Sequence, residues 1–311
     1  MHLISAAALG VWLSAILWVE PVPFGRLLSG QEKPVLTDVT PGIKTIVDKT
    51  PQELIHEFPQ LEGLEPAADQ KDLSMILQKT GENVAAYFHN FVNTIATEDV
   101  LQTRLRPDGK LQGSLKQRFQ YLLLAPPGKA EVDVQEYRMD KKGRPARQKV
   151  LWGGVLTLRF ASMPAHFHPL LQKGSQFGYL GRQKVDGQDA YVVVFAQNPS
   201  VARYREKLVR LSGTYVIFLE GIAWIDSATF QIIRLHTEML PGQFVESLQN
   251  QTTDIKFAEV QFEGIPVKFW LPQEVVVSDK WADYSLRNVH AYSNYRLYTS
   301  QTKIISNGVT P

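Results

Sequence analysis

The spacing of apolar positions changes character three times along this chain. Leu3 to Val19 is an uncharged run of 17 residues, LISAAALGVWLSAILWV, closed by Glu20, Pro21 and Pro23. From Asp72 to Thr97 the apolar positions are Leu73, Ile76, Leu77, Val84, Tyr87, Phe88, Phe91 and Ile95. Their three-, four- and seven-residue gaps trace one stripe along a helix. Asp69 or Asp72 can cap its start, and Gly81 weakens its middle by about 1 kcal/mol relative to alanine. A shorter helix is expected around Pro51 to Phe58. Another is expected from Arg203 to Arg210, where Val201, Tyr204, Leu208 and Leu211 share a face.

Beyond about Leu115 the period falls to two. Strands are expected at Gln117 to Leu124, Glu131 to Asp140, Gln176 to Val185, Ala190 to Gln197 and Thr214 to Asp226. Four more follow at Phe230 to Met239, Thr252 to Phe262, Val267 to Ser278 and Asn288 to Tyr298. Val, Ile, Tyr, Phe and Trp are dense in them, as strands prefer. Val185-Asp186-Gly187-Gln188 reads as a tight hairpin turn, and Asp226-Ser227-Ala228-Thr229 separates two more strands. Short links argue for an antiparallel meander, and no strand-helix-strand rhythm points to a nucleotide fold. A meander this long must curl or split. The fold class read from the pattern is therefore α+β: a curved, antiparallel, incomplete β-barrel with the long amphipathic helix packed over its opening.

Composition narrows the class. The 311 residues are 44% hydrophobic and 21% charged, an ordinary folding composition. Lys and Arg number 33 against 31 Asp and Glu, so 33 − 31 = +2, which gives no global pull toward nucleic acid. Cysteine is absent. That removes disulfides, thiolate metal sites, Cys nucleophiles and a Cys-linked lipid anchor. The N-terminal run lies between a signal-peptide core of about 7 to 15 residues and a full span of about 20. Residues 1–20 are read as a signal peptide or signal anchor, which places the protein in the periplasm or cell envelope. Residues 21–50, with Pro21, Pro23, Pro34 and Pro41, read as a Pro-containing linker. Residues 51–305 then form one domain, and 306–311 a disordered tail.

Three segments resemble a known family when taken in order. Gly181-Arg182-Gln183-Lys184-Val185-Asp186-Gly187-Gln188-Asp189-Ala190-Tyr191 is similar to a hairpin of the LolA-like outer-membrane lipoprotein-sorting and carrier proteins. Ala223-Trp224-Ile225-Asp226 followed by Ile233-Arg234 resembles a second hairpin of that family. Phe269-Trp270-Leu271-Pro272-Gln273-Glu274-Val275 resembles one of its strands. The resemblance spans roughly Leu73 to Tyr298. It implies an incomplete barrel with a helical lid, an apolar cavity for acyl chains, and no enzymatic activity. This chain is longer than a typical carrier, and without cysteine it cannot be a lipidated receptor. The shared motifs mark turns, so they carry over no lipid-contacting residue.

No catalytic constellation appears. Serine elbows, phosphate loops and dinucleotide glycine fingerprints are missing from the sequence, and no cofactor or metal is expected. His166-Phe167-His168 has a metal-like spacing on a strand but no third ligand nearby, and reads as a structural or solvated pair. His56-Glu57 begins a zincin-like pattern, but Gln60 stands where the second His is needed. Arg138, Lys141, Lys142, Arg144, Arg147 and Lys149 oppose only Asp140, so 6 − 1 = +5 over twelve residues. A solvated hairpin loop explains that run. Its functional alternative is docking of Lys141, Lys142, Arg144 and Arg147 to anionic lipid headgroups.

The aromatics supply the candidate site: Phe88, Phe91, Tyr191, Phe195, Trp224, Phe257 and Trp270 are expected to line a cavity. Trp224-Ile225 and Tyr191 to Phe195 are apolar on both sides of their strands. One helix cannot cover both sides, and surplus apolar surface points to a cavity or a partner face. Two functions follow. One is an exported protein that binds a lipid or lipoprotein acyl group in an apolar half-barrel cavity, in a carrier or sorting role. The other is an envelope sensor or scaffold domain that uses the sheet to bind a protein partner.

Overall fold

The computed structural model describes residues 35–36, 42–125, 132, 134–146, 149–150, 157–210, 213–243 and 245–299. The apolar run 3–19, most of the linker, Arg147 and the 306–311 tail lie outside them. The strands are β1 (Val35–Leu36), β2 (Glu65–Pro66), β3 (Thr94–Leu105), β4 (Leu111–Leu124), β5 (Gln135–Met139), β6 (Ser175–Val185) and β7 (Gln188–Gln197). They continue as β8 (Glu206–Arg210), β9 (Gly213–Ile217), β10 (Leu219–Asp226), β11 (Ile232–Met239), β12 (Leu248–Gln261), β13 (Lys268–Trp281) and β14 (Ser285–Leu297).

Eleven strands form one antiparallel sheet in the order β2-β6-β7-β10-β11-β12-β13-β14-β3-β4-β5. Its two edge strands do not pair with each other, so the sheet stays open. Register shifts at Arg104/Leu105, Tyr179/Gly181, Trp224/Ile225 and Lys256/Phe257 bend the strands. A small sheet, β1-β9-β8, stands beside it. The expected Asp186-Gly187 turn is present, with both residues at positive φ, 49° and 86°.

Two helices complete the fold. In α1 (Pro51–Glu57), Thr50 forms a capping box: its hydroxyl accepts from the Glu53 N–H, and the Glu53 carboxylate accepts from the Thr50 N–H at 2.6 Å. The long helix α2 (Leu73–Asn90) ends earlier than the stripe predicts. The chain leaves it at Phe91, with ψ 135°, and enters β3, so Ile95 belongs to a strand. No strand is expected there from the sequence. The inward positions of β3 include Glu98 and Gln102 beside Ala96 and Val100, and those two polar residues mask the period of two. The expected helix from Arg203 to Arg210 is instead strand β8, because Glu206 to Arg210 pairs with β9. Short apolar runs fit either period, and pairing decides. The expected strand Thr214 to Asp226 is divided at Phe218 between the two sheets.

Around β7 and β10 both faces of the large sheet carry apolar clusters. On the first, Tyr191, Val193 and Phe195 of β7 join Ile76, Val84 and Phe88 of α2 and the 3-10 strap Phe160–Phe167 in one apolar cluster. Gly81 permits this contact: a Cβ there would lie 2.8 Å from Gln172 Nε2 and 3.1 Å from the Phe167 carbonyl. On the second face, Val192, Val194, Ile222 and Trp224 pack with Ile46, Leu54, Phe58 and Leu61. The surplus apolar face read from the sequence is thus covered by the chain's own residues 46–64. Part of the segment read as linker belongs to this layer: Ile46 is fully buried, and its N–H donates to Glu220 Oε2 at 2.9 Å.

Candidate functional site

The seven aromatic candidates do not share one place. Phe88, Phe91, Tyr191, Phe195 and Phe257 lie in the first cluster, between sheet, α2 and strap. Phe91 meets Phe269 at 5.9 Å between ring centroids, Phe88 meets His168 at 6.2 Å, and Phe195 meets Phe167 at 5.7 Å. Trp224 lies on the opposite face, fully buried, with Nε1 donating to Gln183 Oε1 at 2.7 Å and the Arg234 guanidinium 4.8 Å from its ring centroid. Trp270 is half-buried and packs against both clusters. Strand alternation separates Trp224 from the others, because neighbours in sequence point to opposite faces.

A cavity of about 220 Å³ opens beside the first cluster. Leu158, Met163, Leu208, Ile217 and Leu219 make its apolar wall, and four of these five belong to the first cluster itself. None of the seven aromatic candidates lines it. Across from that wall stand Thr237, Gln251 and Thr253 of β11 and β12, all buried. Thr157, Arg159, Glu206 and Lys207 complete the lining, with Arg159 Nε 3.5 Å from Glu206 Oε2. Arg159 has φ 79°, an uncommon backbone state for a non-glycine residue, at the start of the strap.

Two buried carboxylates seat the strap. Glu136 on β5 accepts from the backbone N–H groups of Arg159 (2.7 Å), Phe160 (3.1 Å) and Ala161 (2.8 Å), and from the Tyr121 hydroxyl. Arg138, two residues on, forks onto Glu98 at 2.6 and 2.7 Å and donates to the Thr157 carbonyl at 2.9 Å. His290 Nδ1 lies 2.8 Å from Glu98, and the Tyr292 hydroxyl donates to Glu98 at 2.9 Å. Burial alone would raise the Glu98 carboxyl, but the Arg138 charge and the bonds from His290 and Arg138 outweigh it and hold it at about 2. Glu136 is held by the Tyr121 hydroxyl and backbone N–H groups, and burial pushes it up to about 7 against the pull of these donors. The sequence reading misses both acids. The signal is there: Glu136 and Arg138 share one face of β5 in step with Val134 just before it, and Glu98 falls between inward Ala96 and Val100.

Glu136 therefore gives stability a pH dependence of known sign. The folded chain holds this proton more tightly than the unfolded chain. The resulting stabilisation is full below the unfolded value of 4.5 and is lost as pH rises through about 7. Glu136→Gln removes that term. The unfolding free energy of wild type minus variant should fall by on the order of 3 kcal/mol between pH 4.5 and 7, read from urea titrations.

The basic run is not one surface. Arg138 is buried, Arg144 is bound by Asp140 at 2.7 Å, and Lys141 and Lys142 are exposed on the turn. The histidine pair lies in and just after the strap, not on a strand. His166 is buried between Phe195 and Tyr204 and is pushed down to about 3 by burial and then by Arg159. The ring of His168 accepts from the Leu170 N–H at 3.2 Å. Among the described residues no group of three or more His, Asp or Glu is placed to hold a metal ion.

With this geometry in place, comparison with solved structures finds similar chains. The chain is similar to an outer-membrane lipoprotein-sorting protein domain from Vibrio parahaemolyticus, with 13% identity, 72% of this chain and 93% of that one covered, and a TM-score of 0.39. A DUF1329 family protein from Desulfovibrio piger matches with 13% identity, 72% and 94% coverage and a TM-score of 0.36. A LolA superfamily protein from Nitrosomonas europaea matches with 13% identity, 73% and 94% coverage and a TM-score of 0.33. No protein-family model matches the chain, and no curated protein does.

Proposed function

We propose that this chain is a non-enzymatic, exported envelope protein that binds the acyl part of a lipid or lipoprotein between the sheet, α2 and the strap, in a carrier or sorting role. The observation that carries the reading is the cavity whose apolar wall is continuous with the aromatic interior. An acyl chain suits such a wall, because each buried methylene contributes about 0.8 kcal/mol without needing a polar partner. The cavity of about 220 Å³ is smaller than the roughly 300–1,000 Å³ of ordinary ligand sites. A full chain therefore enters by displacing α2 or the strap, both of which pack on the first cluster. Few polar bonds tie α2 down: the Tyr87 hydroxyl donates to the Ala161 carbonyl at 3.0 Å, Asn83 to the Thr229 carbonyl at 2.7 Å, and Gln172 to the Leu77 carbonyl at 3.0 Å. The protein-binding alternative has less support, since the apolar part of the second sheet face, around Val192 and Trp224, is already occupied by residues 46–64.

Titration with a fluorescent fatty acid tests the proposal. Binding should be saturable and micromolar, and unlabelled lipid should displace the probe. Leu219→Trp, which fills the cavity, should weaken binding about tenfold or more with the fold retained. Replacing Lys141 and Lys142 by alanine should leave it unchanged. A folded protein that takes up no probe at any concentration sinks the acyl reading and leaves the protein-interaction reading in its place.

A further inference from the structure

Two turns at the cavity end of the molecule carry features that neither the cavity nor the fold requires. One follows the strap, at His168 to Gly174; the other joins β7 to β8, at Asn198 to Arg205. They are tied together: the Asn198 N–H donates to the Gly174 carbonyl at 2.8 Å, and Gly174 lies directly against Ala202. Each turn raises one aliphatic side chain into solvent. Leu170 is 68% exposed and Val201 55%. A core has no use for side chains held out this far.

Charge at this corner has one sign. Lys173, Arg203, Arg205 and Lys207 are all exposed. Residues 157–185 and 190–205 contain no Asp or Glu. Glu206, next in the chain, is buried and faces Arg159. On the flank, the exposed Asp48 shares a recess of about 440 Å³ with Asn198 and Ser200. Its carboxylate is taken up by the Thr45 N–H and hydroxyl, at 2.8 and 2.9 Å. Among the described residues none of the four cations forms an ion pair. The turn at Lys141 and Lys142 differs, since Asp140 neutralises Arg144 there and its residues 140–146 include no large aliphatic one.

We infer that this corner docks the protein on an anionic phospholipid surface. Leu170 and Val201 enter the interfacial region, while Lys173, Arg203, Arg205 and Lys207 face the headgroups. Cations near such a surface are attracted additively, and isolated aliphatic tips add burial once contact is made. Lys207 also lines the cavity, so docking sets the cavity mouth against the membrane. The inference rests on charge and exposure and is independent of what the cavity holds.

The absence of cysteine makes the test site-specific. Leu170→Cys, Val201→Cys and, as control, Lys142→Cys are each labelled in the full chain with a polarity-sensitive fluorophore. Vesicles of phosphatidylcholine alone are compared with vesicles that include phosphatidylglycerol. Labels at positions 170 and 201 should brighten about twofold or more and shift to the blue on the anionic vesicles only. The response should fade as salt rises, and the label at 142 should stay unchanged. Arg203→Gln combined with Arg205→Gln should weaken the response by about tenfold or more. Silence of both tip labels on anionic vesicles overturns the inference, as does an equal response on uncharged vesicles or at position 142. A protein that docks in this assay yet takes up no fatty acid keeps the docking surface and loses the acyl reading.

Discussion

Arg138→Met should destabilise the fold by about 3–5 kcal/mol, whereas Lys142→Ala, four residues away in the same basic run, should change stability by less than about 0.5 kcal/mol. The contrast follows from burial. The side chains of Arg138 and Glu98 are both wholly inaccessible, and they meet at 2.6 Å. Removing the cation leaves a buried carboxylate facing only His290 and the Tyr292 hydroxyl, and frees the Thr157 carbonyl at the start of the strap. Chemical denaturation at neutral pH measures the loss. The same pair fixes a second sign. With its folded value near 2, Glu98 contributes stability that is present above the unfolded value of 4.5 and is lost as pH falls toward 2. In Arg138→Met that acid-limb loss should shrink. Equal effects for Arg138→Met and Lys142→Ala would place Arg138 on the surface and refute the buried pair.

Trp224→Ala should cost about 3–5 kcal/mol, the range for a large aromatic removed from a filled core, while fatty-acid affinity per folded molecule stays unchanged. The indole sits on the face covered by residues 46–64, bonded to Gln183 and stacked under Arg234, across the sheet from the cavity. Urea midpoints and binding titrations run on the same samples separate the two effects. A variant of near wild-type stability that binds the probe weakly would return Trp224 to the ligand site.

The sequence pattern made the meander legible because alternating Val, Ile and aromatic residues need no partner information to declare a strand. The Asp186-Gly187 turn was legible for a similarly local reason. What it left hidden was tertiary. β3 carries Glu98 and Gln102 inward, so its alternation reads as broken until β5 and β14 bring Arg138 and His290 to meet Glu98. β8 is helical by spacing and a strand only because β9 lies beside it. Trp224 was legible as apolar but not as belonging to the second face, since that assignment depends on a segment far earlier in the chain folding back over β10. Arg138 counted as one more surface cation because charge in a run is visible and burial is not. The cavity itself is assembled from the strap, the small sheet and three strands of the large one, and no local motif announces it.

Native mass spectrometry of the protein purified gently from cell envelopes tests the acyl-binding account most directly. The account predicts wild-type ions carrying a stoichiometric adduct with the mass of an acyl lipid or an acylated peptide. It also predicts that the adduct is lost on collisional activation and is missing from the Leu219→Trp variant purified in the same way. Wild-type ions at the bare chain mass, or an adduct equally abundant in the cavity-filled variant, would contradict it.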